Sequence, residues 1–279
     1  MATPAAPVNQ APAGVVNRAI PGIKNIIAVG AGKGGVGKTT VSVNLAVALA
    51  RSGSQVGIID ADVYGPNVPM MLGISSQLES DGKKIVPAEK YGVRVVSMGF
   101  LTDEKAPIIW RGPMLHGVVR QFFQDVRWGE LDYLVVDMPP GTGDVALSLS
   151  QTVPVAGAVV VTTPQNVSLA DSRRAVAMYK KLNIPTLGII ENMSYYVCPG
   201  CEQESDLFGK GGGLQVAEEL SIPFLGLIPL CTPIRVGGDT GAPIVSADSE
   251  SPGGQAFLKA AERAVERLSA SENKQSVSL

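Results

Sequence analysis

The chain has 279 residues, of which 17% are charged, and its formal net charge is −2. This balance offers no basic surface for wrapping nucleic acid, and no apolar stretch approaches the ~18 to 20 residues that cross a bilayer. Three cysteines, an odd number, argue against a disulfide framework and for reduced thiols. We therefore expect a soluble, cytoplasmic protein that binds neither nucleic acid nor membrane.

The two ends of the chain differ in composition from the rest. Residues 1–20 are rich in Ala, Pro, Val and Asn, with no charge before Arg18, which predicts a flexible leader. Residues 271–279 are polar and are expected to fray. Between them, residues 21–270 are predicted to form a single domain.

The most informative segment reads Gly-Lys-Gly-Gly-Val-Gly-Lys-Thr over 32–39 and follows an apolar stretch over 25–31. Its glycines let several backbone N–H groups point at one anion, and the helix that follows adds the positive end of its dipole. In the G-x-x-x-x-G-K-[ST] pattern, Lys38 reaches the β- and γ-phosphates and the Thr39 hydroxyl is a Mg²⁺ ligand. The sequence therefore predicts a nucleotide site.

A second lysine, Lys33, lies five positions before Lys38 in the same loop. One lysine already covers the terminal phosphates of the nucleotide that its own loop binds. We therefore predict that Lys33 serves the nucleotide of another subunit.

Short apolar runs bounded by turn residues are typical of central parallel strands, and helical patterns separate most of them. The runs cover 55–60, 93–98, 131–137, 157–162, 184–190 and 222–228, and the helical patterns cover 39–51, 113–127, 144–151, 168–182, 212–220 and 255–268. This alternation predicts an α/β fold with a doubly wound, mostly parallel sheet flanked by helices. An Asp-Gly turn within 78–92 predicts a small surface hairpin, and the helix over 255–268 is expected to dock on the sheet.

Acidic residues follow two predicted strands, at the carboxyl edge where α/β proteins bind ligands. Asp60 and Asp62 come at the end of one strand. There, one carboxylate can support the ligand shell of a magnesium ion and the other can orient a water molecule. Asp137 ends another apolar strand, as the second magnesium-side element of a P-loop enzyme requires. The glycine-containing loop 138–144 that follows is a candidate switch that responds to the γ-phosphate.

The sequence Cys198-Pro-Gly-Cys201 presents two sulfurs from one turn. Half of a zinc site, half of an iron–sulfur site and a redox pair all share this geometry. Cys231 is isolated and is expected to pack as a small hydrophobe, so a four-thiolate site needs two ligands from another chain. A two-fold dimer would supply them, which agrees with the interpretation of Lys33. The only histidine, His116, is expected to be an ordinary helix residue.

Several longer sequences accompany the phosphate loop and the C-x-x-C pair. They are Asp60-Ala-Asp-Val-Tyr-Gly-Pro, Trp110-Arg-Gly-Pro-Met, the stretch from Trp128 to Asp144, Thr163-Pro-Gln-Asn-Val and Glu191-Asn-Met-Ser-Tyr-Tyr. Together, over about residues 21–250, they resemble the Mrp/ApbC family of iron–sulfur cluster carrier ATPases, which have a deviant Walker A loop. The resemblance implies a SIMIBI-type P-loop NTPase. Its homodimer would bind ATP and Mg²⁺, hydrolyse ATP slowly and pass a bridging [4Fe–4S] cluster from an assembly scaffold to apo-proteins.

The resemblance also assigns roles to individual residues. It makes Lys33 a catalytic residue acting across the dimer and Asp62 the residue that activates water, with Asp60 and Asp137 supporting magnesium. Asn192 would lie near the adenine, Thr39 would ligate Mg²⁺, and Cys198 and Cys201 would ligate the cluster. The remaining nucleotide contacts would come from the phosphate loop, namely Gly32, Lys33, Gly34, Gly35, Val36, Gly37, Lys38, Thr39 and Thr40.

The sequence departs from the family pattern at two points, and two alternative functions remain open. Many family members carry a further domain before the ATPase, where this chain has only its Ala/Pro-rich leader, and Cys231 replaces a commonly acidic residue. One alternative function is a positioning ATPase like MinD or ParA, which uses the same switch to bind membrane or DNA. The other is a zinc-bridged dimeric ATPase without cluster transfer.

Overall fold

The computed structural model describes residues 19–62, 65–75, 78–100, 112–141, 143–201 and 203–276. Most of the leader, the end of the tail at 277–279, the sequence at Trp110 and the side chain of His116 lie outside the described residues.

Within these residues the strands and helices alternate along most of the chain. The strands are β1 (Ile23–Ala31), β2 (Val56–Asp60), β3 (Glu79–Ser80), β4 (Ile85–Val86), β5 (Ala88–Lys90), β6 (Val93–Ser97), β7 (Leu131–Asp137), β8 (Gly157–Thr162), β9 (Thr186–Glu191), β10 (Tyr196–Val197), β11 (Glu204–Ser205) and β12 (Phe224–Leu227). The helices are α1 (Lys38–Arg51), α2 (Val68–Leu72), α3 (Gly112–Gln124), α4 (Gly143–Thr152), α5 (Asn166–Lys181), α6 (Gly212–Glu219), α7 (Thr232–Thr240), α8 (Ile244–Ala247) and α9 (Pro252–Ser276).

Eight strands form one sheet in the order β12-β9-β8-β1-β7-β2-β6-β5, and only the edge pair β5–β6 is antiparallel. The predicted doubly wound, mostly parallel sheet is therefore confirmed. β2 and β8 are buried at every position, as is usual when helices cover both faces of a parallel sheet. The phosphate-loop strand β1 lies at the centre, between β7 and β8, so the predicted site begins in the middle of the carboxyl edge.

Each face of the sheet has its own hydrophobic core. Along β1, Ile27 and Val29 point into the core that contains α1 and α9, whereas Ile26 and Ala28 point into the core shared with α3, α4 and α5. This alternation follows the two-residue period of a strand. Helix α1 is buried over almost its whole surface because α8 and α9 cover the side that faces away from the sheet. The predicted docking of the last helix is confirmed.

The structure adds features that the sequence pattern did not predict. Helices α2, α7 and α8 were missed because they are short or rich in glycine and proline. The last helix runs from Pro252 to Ser276 and therefore includes residues 271–276, for which the sequence predicted a frayed tail. The predicted hairpin is confirmed as β3–β4, and the Asp81 carboxylate accepts hydrogen bonds from the N–H groups of Lys83 and Lys84 in its turn.

The two edges of the large sheet carry polar groups. β5 has only three residues, and its Glu89 and Lys90 are exposed. At the other edge, the Arg263 guanidinium of α9 donates a hydrogen bond of 3.0 Å to the Leu225 carbonyl of β12. In the part of the chain that the structure describes, no helix combines the length and the apolar composition needed to span a membrane.

Candidate functional site

The loop between β1 and α1 has the backbone conformation of an anion cradle. Gly35 and Gly37 adopt φ values of 81° and 78°, which side chains other than glycine rarely tolerate. A Cβ at Gly37 would lie 2.2 Å from the Asn192 side-chain nitrogen, whereas a Cβ at Gly35 would meet nothing within 4 Å. The loop is therefore closely packed at Gly37, against Asn192, and open at Gly35. Its N–H groups lead into the N-terminus of α1, an arrangement that suits phosphate.

A buried cluster of four side chains forms beneath the loop. The Lys38 Nζ lies 2.7 Å from Asp137 Oδ1, the Ser42 hydroxyl donates to the same oxygen at 2.5 Å, and the Thr39 hydroxyl donates to Asp137 Oδ2 at 2.8 Å. Lys38 is 7% exposed and Asp137 is fully buried. The cluster places a hydroxyl and a carboxylate oxygen side by side, which is the oxygen donor set that Mg²⁺ prefers. These residues fit a magnesium ion held against a nucleotide phosphate.

Asp60 lies beside Asp137 because β2 and β7 are paired in register at these two residues. Its carboxylate accepts hydrogen bonds from the Ser97 hydroxyl at 2.9 Å and from the N–H groups of Val68 and Asp62 at 3.2 Å. Burial and the neighbouring Asp137 carboxylate raise the pKa of Asp60 from 3.8 to about 7. A divalent cation would relieve the repulsion between these two buried carboxylates.

The two residues assigned to catalysis lie in different surroundings. Asp62 is largely buried, and its backbone is tied to Asp60 at the end of β2. Lys33 is half-buried, and among the described residues it has neither an ion-pair nor a hydrogen-bond partner. Unlike Lys38, Lys33 does not belong to the cluster around Asp137.

The loop after β7 is hydrogen-bonded to the end of β1, the strand that leads into the phosphate loop. The Met138 N–H donates to the Val29 carbonyl at 3.0 Å, and the Gly141 N–H donates to the Ala31 carbonyl at 3.1 Å. A cavity of about 390 Å³ lies between this loop and α5, and its lining includes Gly32, Met138, Gly141, Met178 and Tyr179. The predicted switch loop therefore has hydrogen bonds to the end of β1 on one side and a cavity on another.

Asn192, the residue after β9, is hydrogen-bonded to the phosphate loop. Its side-chain amide donates to the Val36 carbonyl at 2.9 Å, and its backbone N–H donates to the Thr162 carbonyl at 2.8 Å. The structure thus brings Asn192 to the loop, and its predicted place near the adenine stays a prediction.

The cysteine pair lies on a small hairpin formed by β10 and β11. Cys198 is half-buried, Cys201 is exposed, and the Cys198 N–H donates to the Gln203 carbonyl at 3.0 Å. The N–H groups of Gly200 and Cys201 hydrogen-bond the Cys198 sulfur and, with the Cys201 thiol, lower its pKa. Such a sulfur is more readily a thiolate, the form that ligates metal.

Cys231 differs from this pair in its environment. It precedes α7, is half-buried rather than fully packed as the sequence predicted, and burial raises the pKa of its thiol. In the described ranges, no three or more His, Cys, Asp and Glu side chains are grouped so that they could hold a metal ion.

Sequence reasoning missed three polar residues of the site. Ser42 lies one helical turn after Lys38, and this i, i+4 spacing could have revealed it. Ser97 ends β6, the strand next to β2, and depends on strand order that no local pattern gives. Glu191 was quoted as part of a motif but was given no role. It is fully buried and accepts hydrogen bonds from three donors, described below.

The fold, the glycine loop with its buried lysine, and the paired aspartates define a P-loop NTPase of the MinD/ParA type. The cell-division ATPase MinD of Pyrococcus furiosus has the same architecture, with a TM-score of 0.66 and 26% identity over 88% of this chain and 99% of its own. A nucleotide-binding protein from Archaeoglobus fulgidus, solved in complex with ADP, has a TM-score of 0.74 and 36% identity, covering 86% of this chain and 93% of its own.

Within that class, residues 22–265 match the family described as the ParA-type NUBPL iron-transfer P-loop NTPases, and the chain belongs to this family. The iron–sulfur cluster carrier protein of Synechocystis is 52% identical over 253 residues, covering 88% of this chain and 72% of its own. An Arabidopsis thaliana iron–sulfur protein required for mitochondrial NADH dehydrogenase is 47% identical, covering 88% of this chain and 80% of its own. The family resemblance inferred from the motifs is confirmed.

Proposed function

We propose that this chain is a cytoplasmic ATPase that carries an iron–sulfur cluster as a homodimer and delivers it to apo-proteins after receiving it from an assembly scaffold. The observation that carries the proposal is the Cys198–Cys201 pair. Its sulfurs are at least partly exposed, backbone N–H groups lower the pKa of the Cys198 thiol, and the pair lies on a hairpin that follows β9 of the central sheet. The family match and the cluster-carrier names of the relatives support the same cargo.

ATP and Mg²⁺ would bind at the phosphate loop over 32–40. Lys38 would exchange its contact with Asp137 for one with the terminal phosphates, while Thr39 and the two buried aspartates would hold the metal. Asp62 would orient the attacking water. By analogy with the carrier ATPases that the sequence resembles, hydrolysis would be slow and would regulate the carrier.

The dimer would complete two sites at once. Each chain would offer two thiolates, so that two chains provide the four needed by a [4Fe–4S] cluster. Lys33, without an ion-pair partner in the described part of its own chain, would reach the nucleotide of the other subunit. A dimer related by a two-fold axis brings the same residues from both chains to one interface, which suits a shared cluster.

Anaerobic reconstitution of the purified protein with iron and sulfide tests the cargo. We expect about four iron atoms per dimer, following the four-cysteine ligation of a [4Fe–4S] cluster, and a visible thiolate-to-iron absorption band. Cys198→Ala should lose the iron, while the matched Cys231→Ala variant should keep it. A colourless protein with one zinc per dimer would instead support the zinc-bridged alternative.

A second experiment tests the role of Lys33 and the positioning alternative. Lys33→Ala should still bind ATP but lose nucleotide-dependent dimerisation in analytical ultracentrifugation and lose hydrolysis. Salt-dependent binding to DNA or sedimentation with anionic liposomes would favour a MinD/ParA-like role. The formal charge of −2 gives no reason to expect either.

A further inference from the structure

Two adjacent residues at the end of β9 are each tied to a different loop. Asn192 donates from its side chain to the Val36 carbonyl of the phosphate loop at 2.9 Å. Glu191 points the other way, and its Oε1 accepts from the Gly211 N–H at 2.9 Å while its Oε2 accepts from the Gly213 N–H at 2.5 Å. One rigid strand end therefore contacts both the nucleotide cradle and the turn that begins α6.

The strand end itself is firmly held. The Asn192 N–H donates to the Thr162 carbonyl at 2.8 Å, and the Glu191 carbonyl accepts from the Ile228 N–H at 2.8 Å. The Ser194 hydroxyl donates to Glu191 Oε1 at 2.5 Å, so the fully buried carboxylate has three donors. Among the described residues none of its partners is a lysine or an arginine. Two of its three donors are instead backbone N–H groups at the N-terminus of α6, the end of a helix that favours a carboxylate.

The turn before α6 leads directly to the cysteines. Lys210, the residue before Gly211, forms an ion pair with Glu204 of β11, and its ammonium lies 4.6 Å from the centre of the Tyr195 ring. Glu204 is paired with Val197 of β10, the residue before Cys198. A continuous series of contacts thus runs from the phosphate loop, through Asn192 and Glu191, to the hairpin that carries the sulfurs.

We propose that Glu191 and Asn192 are positioning residues that couple the nucleotide state of the phosphate loop to the geometry of the cysteine hairpin. A phosphate that reorganises the loop shifts the Val36 carbonyl, the strand end follows, and Glu191 moves the turn at 211–213 together with Lys210. A role of this movement in cluster release rests on the proposed function. The movement itself can be tested without a cluster.

Hydrogen–deuterium exchange, with and without a magnesium-bound, non-hydrolysable ATP analogue, tests the coupling in the cluster-free protein. In the wild type we expect the analogue to change exchange in peptides covering 196–204 and 209–215. Glu191→Gln keeps the side-chain shape but replaces one acceptor oxygen with a donor that faces a backbone N–H. This variant should still bind the analogue, as calorimetry can verify, and should lose both responses. Glu219→Gln, the same change at an exposed position of α6, should keep them.

A second variant covers the case in which Glu191→Gln does not fold. Glu204→Gln removes the ion pair with Lys210 at the surface, where folding is not at stake. It should keep the response at 209–215 and lose the response at 196–204. The coupling is wrong if folded Glu191→Gln responds like the wild type, if Glu204→Gln keeps the hairpin response, or if the wild type shows no response at either peptide.

The cluster-loaded protein separates the coupling from the proposed cargo. The ratio of cluster transfer rates with and without ATP should be about 5-fold or more in the wild type and close to one in Glu191→Gln, at equal iron content. A wild type that holds no iron but shows the exchange response would overturn the cargo and support the coupling. A Glu191→Gln variant that holds iron and keeps the wild-type ratio would overturn the coupling and leave the cargo intact.

Discussion

Asp60 should destabilise the nucleotide-free protein, and Asp60→Asn should therefore make it more stable. In the folded chain the pKa of Asp60 is raised from 3.8 to about 7, so the folded state binds a proton that the unfolded state has released between these pH values. Wild-type stability then falls as the pH rises through this window. Each pH unit between the two pKa values lowers the free energy of unfolding by about 1.36 kcal/mol. The ionised carboxylate therefore costs about 4 kcal/mol at pH 8 and about 2 kcal/mol at pH 5.5.

Asparagine removes this charge but also loses an acceptor for the Val68 N–H, which costs about 1 kcal/mol. The Ser97 hydroxyl can rotate to accept from the new amide, so that hydrogen bond is kept. We expect a net gain of about 3 kcal/mol at pH 8 in urea unfolding with EDTA present, and a gain about 2 kcal/mol smaller at pH 5.5.

Asp132→Asn is the matched control on the same sheet. The half-buried Asp132 accepts hydrogen bonds from Lys24 and the Gln55 N–H, and these lower its pKa. Its contribution is present above pH 3.8 and is lost as the pH falls, so its removal should decrease stability slightly. The reasoning about Asp60 is refuted if Asp60→Asn is less stable than the wild type at pH 8 or if the pH dependence is unchanged.

Three further predictions concern the same region and the cysteines. Gly37→Ala should abolish ATP binding in calorimetry, because φ at this residue is 78° and the new Cβ would lie 2.2 Å from the Asn192 side-chain nitrogen. Gly34→Ala, whose Cβ would have its nearest neighbour at 4.0 Å, should fold normally. Wild-type affinity in Gly37→Ala would contradict this. Asp137→Ala should lower the free energy of unfolding by about 3–5 kcal/mol because it leaves a buried lysine unpaired; a loss below 1 kcal/mol would count against the ion pair. Iodoacetamide at pH 7 should alkylate Cys198 faster than Cys231, since the two thiol pKa values move in opposite directions; equal rates by mass spectrometry would refute the assignment.

The sequence predicted those parts of the molecule that local chemistry determines. The central strands are continuous apolar runs because helices cover both sheet faces, and the phosphate loop is written in consecutive residues. Helix α7 was missed because its sequence contains two adjacent glycines, which local propensity disfavours. Packing explains the first of them, since a Cβ at Gly237 would lie 2.4 Å from the Ala242 carbonyl oxygen.

The candidate site was predicted only where its residues belong to one motif. Lys38 and Thr39 were found from the loop, and Asp60 and Asp137 from their strand ends, but their adjacency depends on the pairing of β2 with β7. Nothing in the sequence near Glu191 indicates that its carboxylate binds N–H groups about twenty residues later in the chain, because that contact requires the folded turn before α6.

The polar edges of the sheet restrict how copies of this chain can associate. A bare edge strand can recruit another chain by backbone pairing, which leads to open-ended stacking and aggregation. Here a short, charged strand ends the sheet on one side, and an arginine occupies a backbone acceptor on the other. Both edges of the sheet therefore discourage growth by strand addition, and the homodimer proposed above would have to form through another surface.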